Sequence, residues 1–260
     1  RDSSGRMALP AQIFTLLGLC LSLVSVSCQS VAASPGVKVT AHKFQSGGKT
    51  IRVDRFRPAN VAHGATAPSA VVVLHGAGGT VLDGPEMKRT ALELAKAGHD
   101  AYVLHYFNRT GNWIALDDGM TRNFAAWHGT VGDAVKWVRI SEGQRGPIGI
   151  FGYSLGGFLT VAEAFHDPDI SAAVVHAGGI WNGYDRNITN VPPMLLVHGT
   201  LDKRVEYSRY MPPLQKLLKS KGVPAETAFY EGQDHRFDKP SLMNVRQQTV
   251  SFFSKHLRSS

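Results

Sequence analysis

Cysteine is nearly missing from this 260-residue chain: only Cys20 and Cys28 occur, both near the N-terminus. A disulfide scaffold or a thiolate-ligated metal site is therefore excluded from the remainder. Long apolar runs are missing too. None reaches the roughly 18 residues of an ordinary membrane span. Glycine is frequent but has no G-X-Y period, which excludes a collagen-like chain. Acidic residues are the scarcer charge, 20 against 28 Lys and Arg, giving a formal charge of +8. That balance favours contact with anionic surfaces and says little about fold. With 43% hydrophobic and 18% charged residues, the chain is too apolar for disorder and long enough for one full core.

The N-terminal residues 1–33 read as an address. Arg1 and Arg6 precede an apolar stretch from Ile13 to Val26, and the segment closes on Val31, Ala32 and Ala33. A basic start, an apolar stretch of this length and a small-residue exit fit a secretory signal peptide cleaved after Ala33, and hence a secreted or periplasmic protein. The competing readings are a buried N-terminal helix and lipidation at Cys28, which follows the small residues Ser25, Val26 and Ser27. Residues 1–6, ahead of Met7, are left out of the fold reasoning.

From residue 34 onward, short apolar runs alternate with helical patterns. Edge strands are predicted at Val37–Val39 and Thr50–Phe56 around Gly47 and Gly48, a buried strand at Ala70–Leu74, and further strands at Ala101–Tyr106, Ile148–Phe151, Ala172–His176, Met194–His198 and Glu226–Tyr230. Helical spacing marks Glu86–Ala97, Asn123–Ile140, Leu155–Phe165, Met211–Lys221 and Ser241–Leu257. Strand–helix alternation with continuously apolar strands predicts an α/β fold: a mainly parallel sheet with helices on both faces, in one domain spanning 34–260.

Such sheets place ligands at the carboxyl ends of their strands. Gly152-Tyr153-Ser154-Leu155-Gly156 follows one strand and opens a helix. This is the G-x-S-x-G pattern of the nucleophile elbow, in which a sharp strand-to-helix turn pushes the serine oxygen outward and the flanking glycines avoid backbone clashes. The following helix directs its N-terminus at developing negative charge. A bystander serine in a glycine-rich turn is the bland alternative.

A serine hydroxyl needs a base, and His235, in the loop after the last strand, is the candidate. His75, His176 and His198 also end strands but adjoin buried runs, where packing explains them. The imidazole needs a carboxylate. Asp202 lies in the loop after the preceding strand; Asp185, Asp234 and Asp238 are its rivals. For the oxyanion, Leu155 N–H and an amide of the His75-Gly76-Ala77-Gly78-Gly79 loop are the candidate donors, Ala77 first and Gly78 second. A phosphate cradle is the rival reading of that loop, but it lacks a P-loop's lysine and a dinucleotide fingerprint's spacing. Tyr106, Tyr153 and Trp181, with Gly78, are candidate pocket residues, while the helical spacing of Trp127 points to the core.

From the Ala70 strand to the final helix, the chain resembles an α/β-hydrolase similar to the dienelactone hydrolase family. The residues that carry the resemblance are His75–Gly79, Gly152–Gly157, Gly199-Thr200-Leu201-Asp202 and Asp234-His235. The resemblance implies a Ser154, His235, Asp202 triad on a small, capless monomer. It departs from the family's namesake at the nucleophile, a cysteine there and Ser154 here, so a general carboxylic-ester hydrolase is the expectation rather than a dienelactonase. Only the segment Ile180–Pro192 separates two strands where related enzymes insert a cap, so the cleft should be open, covered at most by the Asn108–Asn123 loop. No cofactor or metal is required, and the expected partner is a small-molecule ester. The alternatives are a peptidase or amidase with the same triad and a non-catalytic binding protein on this fold. Scattered basic residues (Arg52, Arg55, Arg57, Lys216, Lys219, Lys221) read as a solvated surface rather than a nucleic-acid site.

Overall fold

Central strands that are apolar on both sides can only be stable between two layers of helices, and that is the arrangement in the computed structural model, which describes residues 36–59, 68–223 and 225–258. Eight strands form one sheet in the order β1-β2-β4-β3-β5-β6-β7-β8. They are β1 (Val37–Ser46), β2 (Lys49–Pro58), β3 (Ala70–Leu74), β4 (Asp100–Leu104), β5 (Ile148–Tyr153), β6 (Ile170–His176), β7 (Met194–Gly199) and β8 (Glu226–Tyr230). From β4 to β8 every neighbouring pair is parallel, while β1 and β2 add an antiparallel hairpin at one edge. The helices are α1 (Gly79–Leu82), α2 (Gly84–Lys96), α3 (Asp117–Ile140), α4 (Leu155–His166), α5 (Tyr207–Ser220) and α6 (Lys239–His256).

Alternate strand residues feed two cores. Val72, Leu74 and Ile150 pack with Trp127 of α3, Leu159 of α4 and Leu214 of α5. On the other face, Val71, Val73 and Phe151 pack with Leu94 of α2 and Phe253 of α6. Burying a large apolar side chain in this way stabilises the fold by about 1.5–3 kcal/mol. The hairpin edge is tied in by charge: Arg55 donates to Asp100 and to Glu142, each at 2.5 Å. Asp54 of β2 likewise pairs with Lys88 of α2 at 3.2 Å.

Several element bounds differ from those predicted. The strand predicted at Val37–Val39 extends to Ser46; most of the added residues are polar or exposed, which hides its period from the sequence. The strand predicted to end at Tyr106 stops at Leu104 and gives way to a 3-10 turn, Tyr106–Arg109. α3 begins at Asp117 rather than Asn123; Asp117 and Asp118 in its first turn favour the helix dipole, a signal that apolar spacing misses. α5 begins at Tyr207 and includes Pro212 and Pro213, held in place by the buried stripe Met211, Leu214 and Leu218. The signal-peptide and Cys28 readings lie outside the described residues. Among the described residues, no helix is long and apolar enough to cross a membrane. No cap interrupts the chain between β6 and β7.

Candidate active site

β5 occupies the middle of the sheet, between β3 and β6, and the chain reverses into α4 immediately after it. Ser154 makes that reversal at φ 55° and ψ −119°, a conformation costly for a residue with a Cβ. Backbone crowding enforces it. A Cβ on Gly152 would lie 2.0 Å from Gly156 O, and one on Gly156 would lie 2.6 Å from both Leu74 O and His75 O. Only glycine fits at either position. Ser154 N–H donates to His176 O at 2.9 Å, and Ser154 O accepts from Gly157 and Phe158. The side chain is thus left to face the carboxyl edge of the sheet.

His235, from the loop after β8, and Asp202, from the loop after β7, meet Ser154 there. His235 Nε2 is 2.9 Å from Ser154 Oγ, and His235 Nδ1 is 2.8 Å from Asp202 Oδ2. Burial alone would raise the pKa of the Asp202 carboxyl. Hydrogen bonds from His198, His235 and the Val205 amide overcome that and hold it well below the usual carboxylate range. With Asp202 ionised, Nδ1 of His235 is the donor and Nε2 is free to accept from the serine hydroxyl. The Arg204 and Val205 amides donate to Asp202 Oδ1 at 2.9 and 2.8 Å. Asp234, a rival carboxylate in sequence, instead accepts from the amides of Lys203 and His235 and so joins the two loops. Asp238 caps α6 through Ser241 N.

Ala77, Gly78 and Leu155 surround the nucleophile. Ala77 and Ser154 border a cleft of about 600 Å³ together with Gly78, Lys203 and Arg204. They also border a narrower extension of about 290 Å³ toward Leu155, Phe158 and Trp181. The Gly78 amide is already engaged, donating to the buried carboxylate of Asp83 at 3.0 Å. Among the described residues, the amides of Ala77 and Leu155 make no hydrogen bond. Of the two loop candidates for anion stabilisation, Ala77 is therefore the one with a free donor. Burial raises the pKa of Asp83, opposed by Arg236 and by the Gly78 amide and His235. Neither Asp83 nor Arg204, which pairs with Asp117 across the cleft mouth, follows a pattern that sequence alone would single out.

The aromatic candidates separate. Trp181 borders the cleft, stacked on Phe124 at 4.3 Å. Tyr153 packs under His235 with ring centroids 5.2 Å apart, and its hydroxyl donates to His235 O at 3.0 Å. Tyr106 is not a pocket residue. The chain has left the strand by then, and the ring turns fully into the core, its hydroxyl donating to His75 O at 2.7 Å. His75 is fully buried against it, centroids 4.1 Å apart, and burial pushes its pKa down to about 3. His198 is buried as well, and it touches Asp202 at 3.3 Å, behind the carboxylate rather than in the cleft.

Comparison with known proteins places the fold and the family. The model of the Dienelactone hydrolase family matches residues 57–251. No curated protein matches the chain. Among solved structures, a dienelactone hydrolase from Anabaena variabilis is similar with a TM-score of 0.66 at 18% identity, covering 86% of this chain and 100% of that one. A dienelactone hydrolase-like promiscuous phosphotriesterase from metagenomic libraries gives 0.69 at 17% identity, covering 85% and 99%. The acylaminoacyl peptidase of Pyrococcus horikoshii gives 0.67 at 18% identity, covering 86% of this chain but 42% of that one. A family match over most of the length, on an eight-stranded α/β-hydrolase sheet without a cap, establishes that the chain belongs to the dienelactone hydrolase family.

Proposed function

We propose that this protein is a serine hydrolase of carboxylic esters. The reading rests above all on the chain of contacts from Ser154 Oγ through His235 to Asp202, at 2.9 and 2.8 Å. Ser154 Oγ attacks the ester carbonyl carbon as its proton passes to His235 Nε2. The carbonyl oxygen becomes an oxyanion, held by the amides of Ala77 and Leu155 at the positive end of α4. The carbon–oxygen bond to the alcohol then breaks, and His235 returns the proton to the departing oxygen. Water repeats the sequence in the second half: it loses a proton to His235, attacks the acyl-enzyme carbonyl and releases the acid, while Ser154 regains its hydrogen. Asp202, kept ionised by its hydrogen bonds, stabilises the imidazolium at each stage.

The test is hydrolysis of 4-nitrophenyl acetate together with labelling by a fluorophosphonate. Ser154→Ala should abolish the labelling and lower kcat on the order of 10⁴–10⁶-fold. Turnover that persists undiminished in that variant overturns the assignment. The same triad can cleave amides, and the peptidase resemblance makes an N-acyl nitroanilide the comparison substrate. An amide rate equal to the ester rate would move the protein to the amidases.

A further inference from the structure

A second cavity, of about 230 Å³, lies behind His235. It runs between α2, α6 and the ends of β5 and β6. Its inner wall is apolar, formed mainly by Met87, Phe151, Phe237, Leu242 and Val245. Its near end is shared with the cleft that holds Ser154: Asp83, Tyr153, His235 and Arg236 border both spaces. Ser154 itself borders only the cleft, so a substrate that occupies both spaces would have to pass beside the ring of His235. An apolar cavity of about 150 Å³ admits a benzene ring. This one has room for a ring with a short substituent.

One polar group inside it is unaccounted for. His176 ends β6, borders the cavity and is 3% exposed. Its ring lies 5.0 Å from Tyr153 and 4.8 Å, edge-on, from Phe237. Among the described residues, its Nε2 has no hydrogen-bond partner. Burial, reinforced by the nearby His235 and His198, pushes its pKa down to about 3, so the ring is neutral. A buried ring nitrogen left unpaired is unfavourable and calls for a partner from outside the protein. The charged groups at the cavity's outer end are already paired with each other, Arg246 with Glu86. Asp83 and Arg236 stand at the end shared with the cleft, so it is at the inner end, beside His176, that a neutral ligand fits better than an ionic one.

The chemistry fixes which part of a substrate this would be. His235 must hand a proton to the leaving oxygen, so the alcohol departs on the side of that imidazole. The acyl part then falls to the opposite extension beside Phe158 and Trp181. We propose that the cavity behind His235 receives the leaving alcohol, and that its preferred occupant is a single-ring aromatic alcohol whose far end carries a neutral hydrogen-bonding group facing His176. The inference rests on the serine-esterase reading and adds the substrate class to it.

Three acetates test it by varying the alcohol alone: ethyl, 2-phenylethyl and 2-(4-hydroxyphenyl)ethyl acetate. For each, kcat/KM is read, since it reports the acylation step in which the alcohol leaves. The wild type should prefer the two aromatic alcohols, the hydroxylated one most. Val245→Trp, which fills the cavity, should lower the ratio of 2-phenylethyl to ethyl acetate by roughly tenfold or more. His176→Phe keeps a ring in place and should cancel the preference for the hydroxylated ring, a loss of about three- to tenfold. Leu242→Phe replaces Val245→Trp if that variant fails to fold by circular dichroism. Ratios unchanged in the variants, with Ser154 still labelled by fluorophosphonate, overturn the alcohol pocket and leave the esterase reading intact. Loss of both labelling and all ester turnover in the wild type would instead reject the esterase reading itself.

Discussion

The turn that carries Ser154 and the loop that carries His235 follow β5 and β8 of the same sheet, with β6 and β7 between them, and they are held largely by different means. Around Ser154 the constraint is exclusion. Backbone atoms approach so closely that Gly152 and Gly156 have no room for a Cβ, and the hydrogen bonds there are main-chain ones, from Ser154 N to His176 O and from Gly157 N to Ser154 O. Around His235 the constraint is mainly attachment, by side chains together with the main-chain bond from Leu201 N to Gln233 O. Asp234 ties the loop to Lys203, Gln233 exchanges hydrogen bonds with Asp238, and the Tyr153 hydroxyl holds His235 O. A turn fixed by exclusion allows one conformation and one residue type at each crowded position. A loop fixed by attachment can lose a contact and keep its course.

The largest effect should come from breaking the excluded turn. Gly152→Ala places a methyl group 2.0 Å from Gly156 O, where the clash is with main chain rather than with a movable side chain. Destabilisation of about 3 kcal/mol or more is expected, read from the urea midpoint, with fluorophosphonate labelling lost in whatever fraction still folds. A variant with wild-type stability would show that the elbow can relax, and the contrast between the two segments would collapse.

An intermediate effect belongs to the attached loop. Asp234→Ala removes the Oδ1 that accepts from two amides, Lys203 N at 3.1 Å and His235 N at 2.6 Å. The residue is exposed, so the melting temperature should hardly move, while kcat/KM falls by up to about 100-fold through misplacement of the imidazole. Because Tyr153 still grips His235 O, labelling of Ser154 should persist at a reduced rate. Unfolding of this variant, with Gly152→Ala tolerated, would invert the comparison.

The same contrast decides what was legible in the sequence. The elbow announces itself because exclusion writes glycines at fixed offsets on both sides of Ser154. Two strands appear at the predicted residues: Ala70–Leu74, a run buried throughout, and Glu226–Tyr230, a partly exposed strand at the sheet edge. His235 is one of eleven histidines, and it was singled out by the order of elements rather than by any local pattern. Asp83 had no signal at all. Its role depends on a short helix, α1, turning the chain back on the Ala77–Gly79 loop, and such contacts between nearby but non-periodic residues leave no spacing to read. Tyr106 shows the reverse failure. At the end of an apolar run it reads as a rim residue, but one 3-10 turn sends it inward, and turn geometry of that kind is set by tertiary contacts with His75 and Trp127.

Histidines that end strands extend the comparison to pH, with the smallest and most finely graded effect. His75 and His176 are enclosed, and both are pushed by burial from an ordinary value of 6.5 down to about 3. In the unfolded chain each takes up a proton near 6.5, whereas in the folded protein it stays neutral until about pH 3. Below pH 6.5 the unfolded state therefore binds more protons, and stability must fall as the pH drops across that window. Asp202 acts in the same direction but later: its contribution is present above the ordinary value of 3.8 and is lost only as the pH falls from there through its lower folded value. Between pH 5.5 and 4.5 the slope of unfolding free energy should therefore carry about 1.4 kcal/mol per pH unit from each enclosed histidine. His176→Phe should remove one such increment from the slope, whatever it does to stability at neutral pH. An unchanged slope would mean that His176 takes up its proton inside the fold, and so is reached by water through the cavity beside His235.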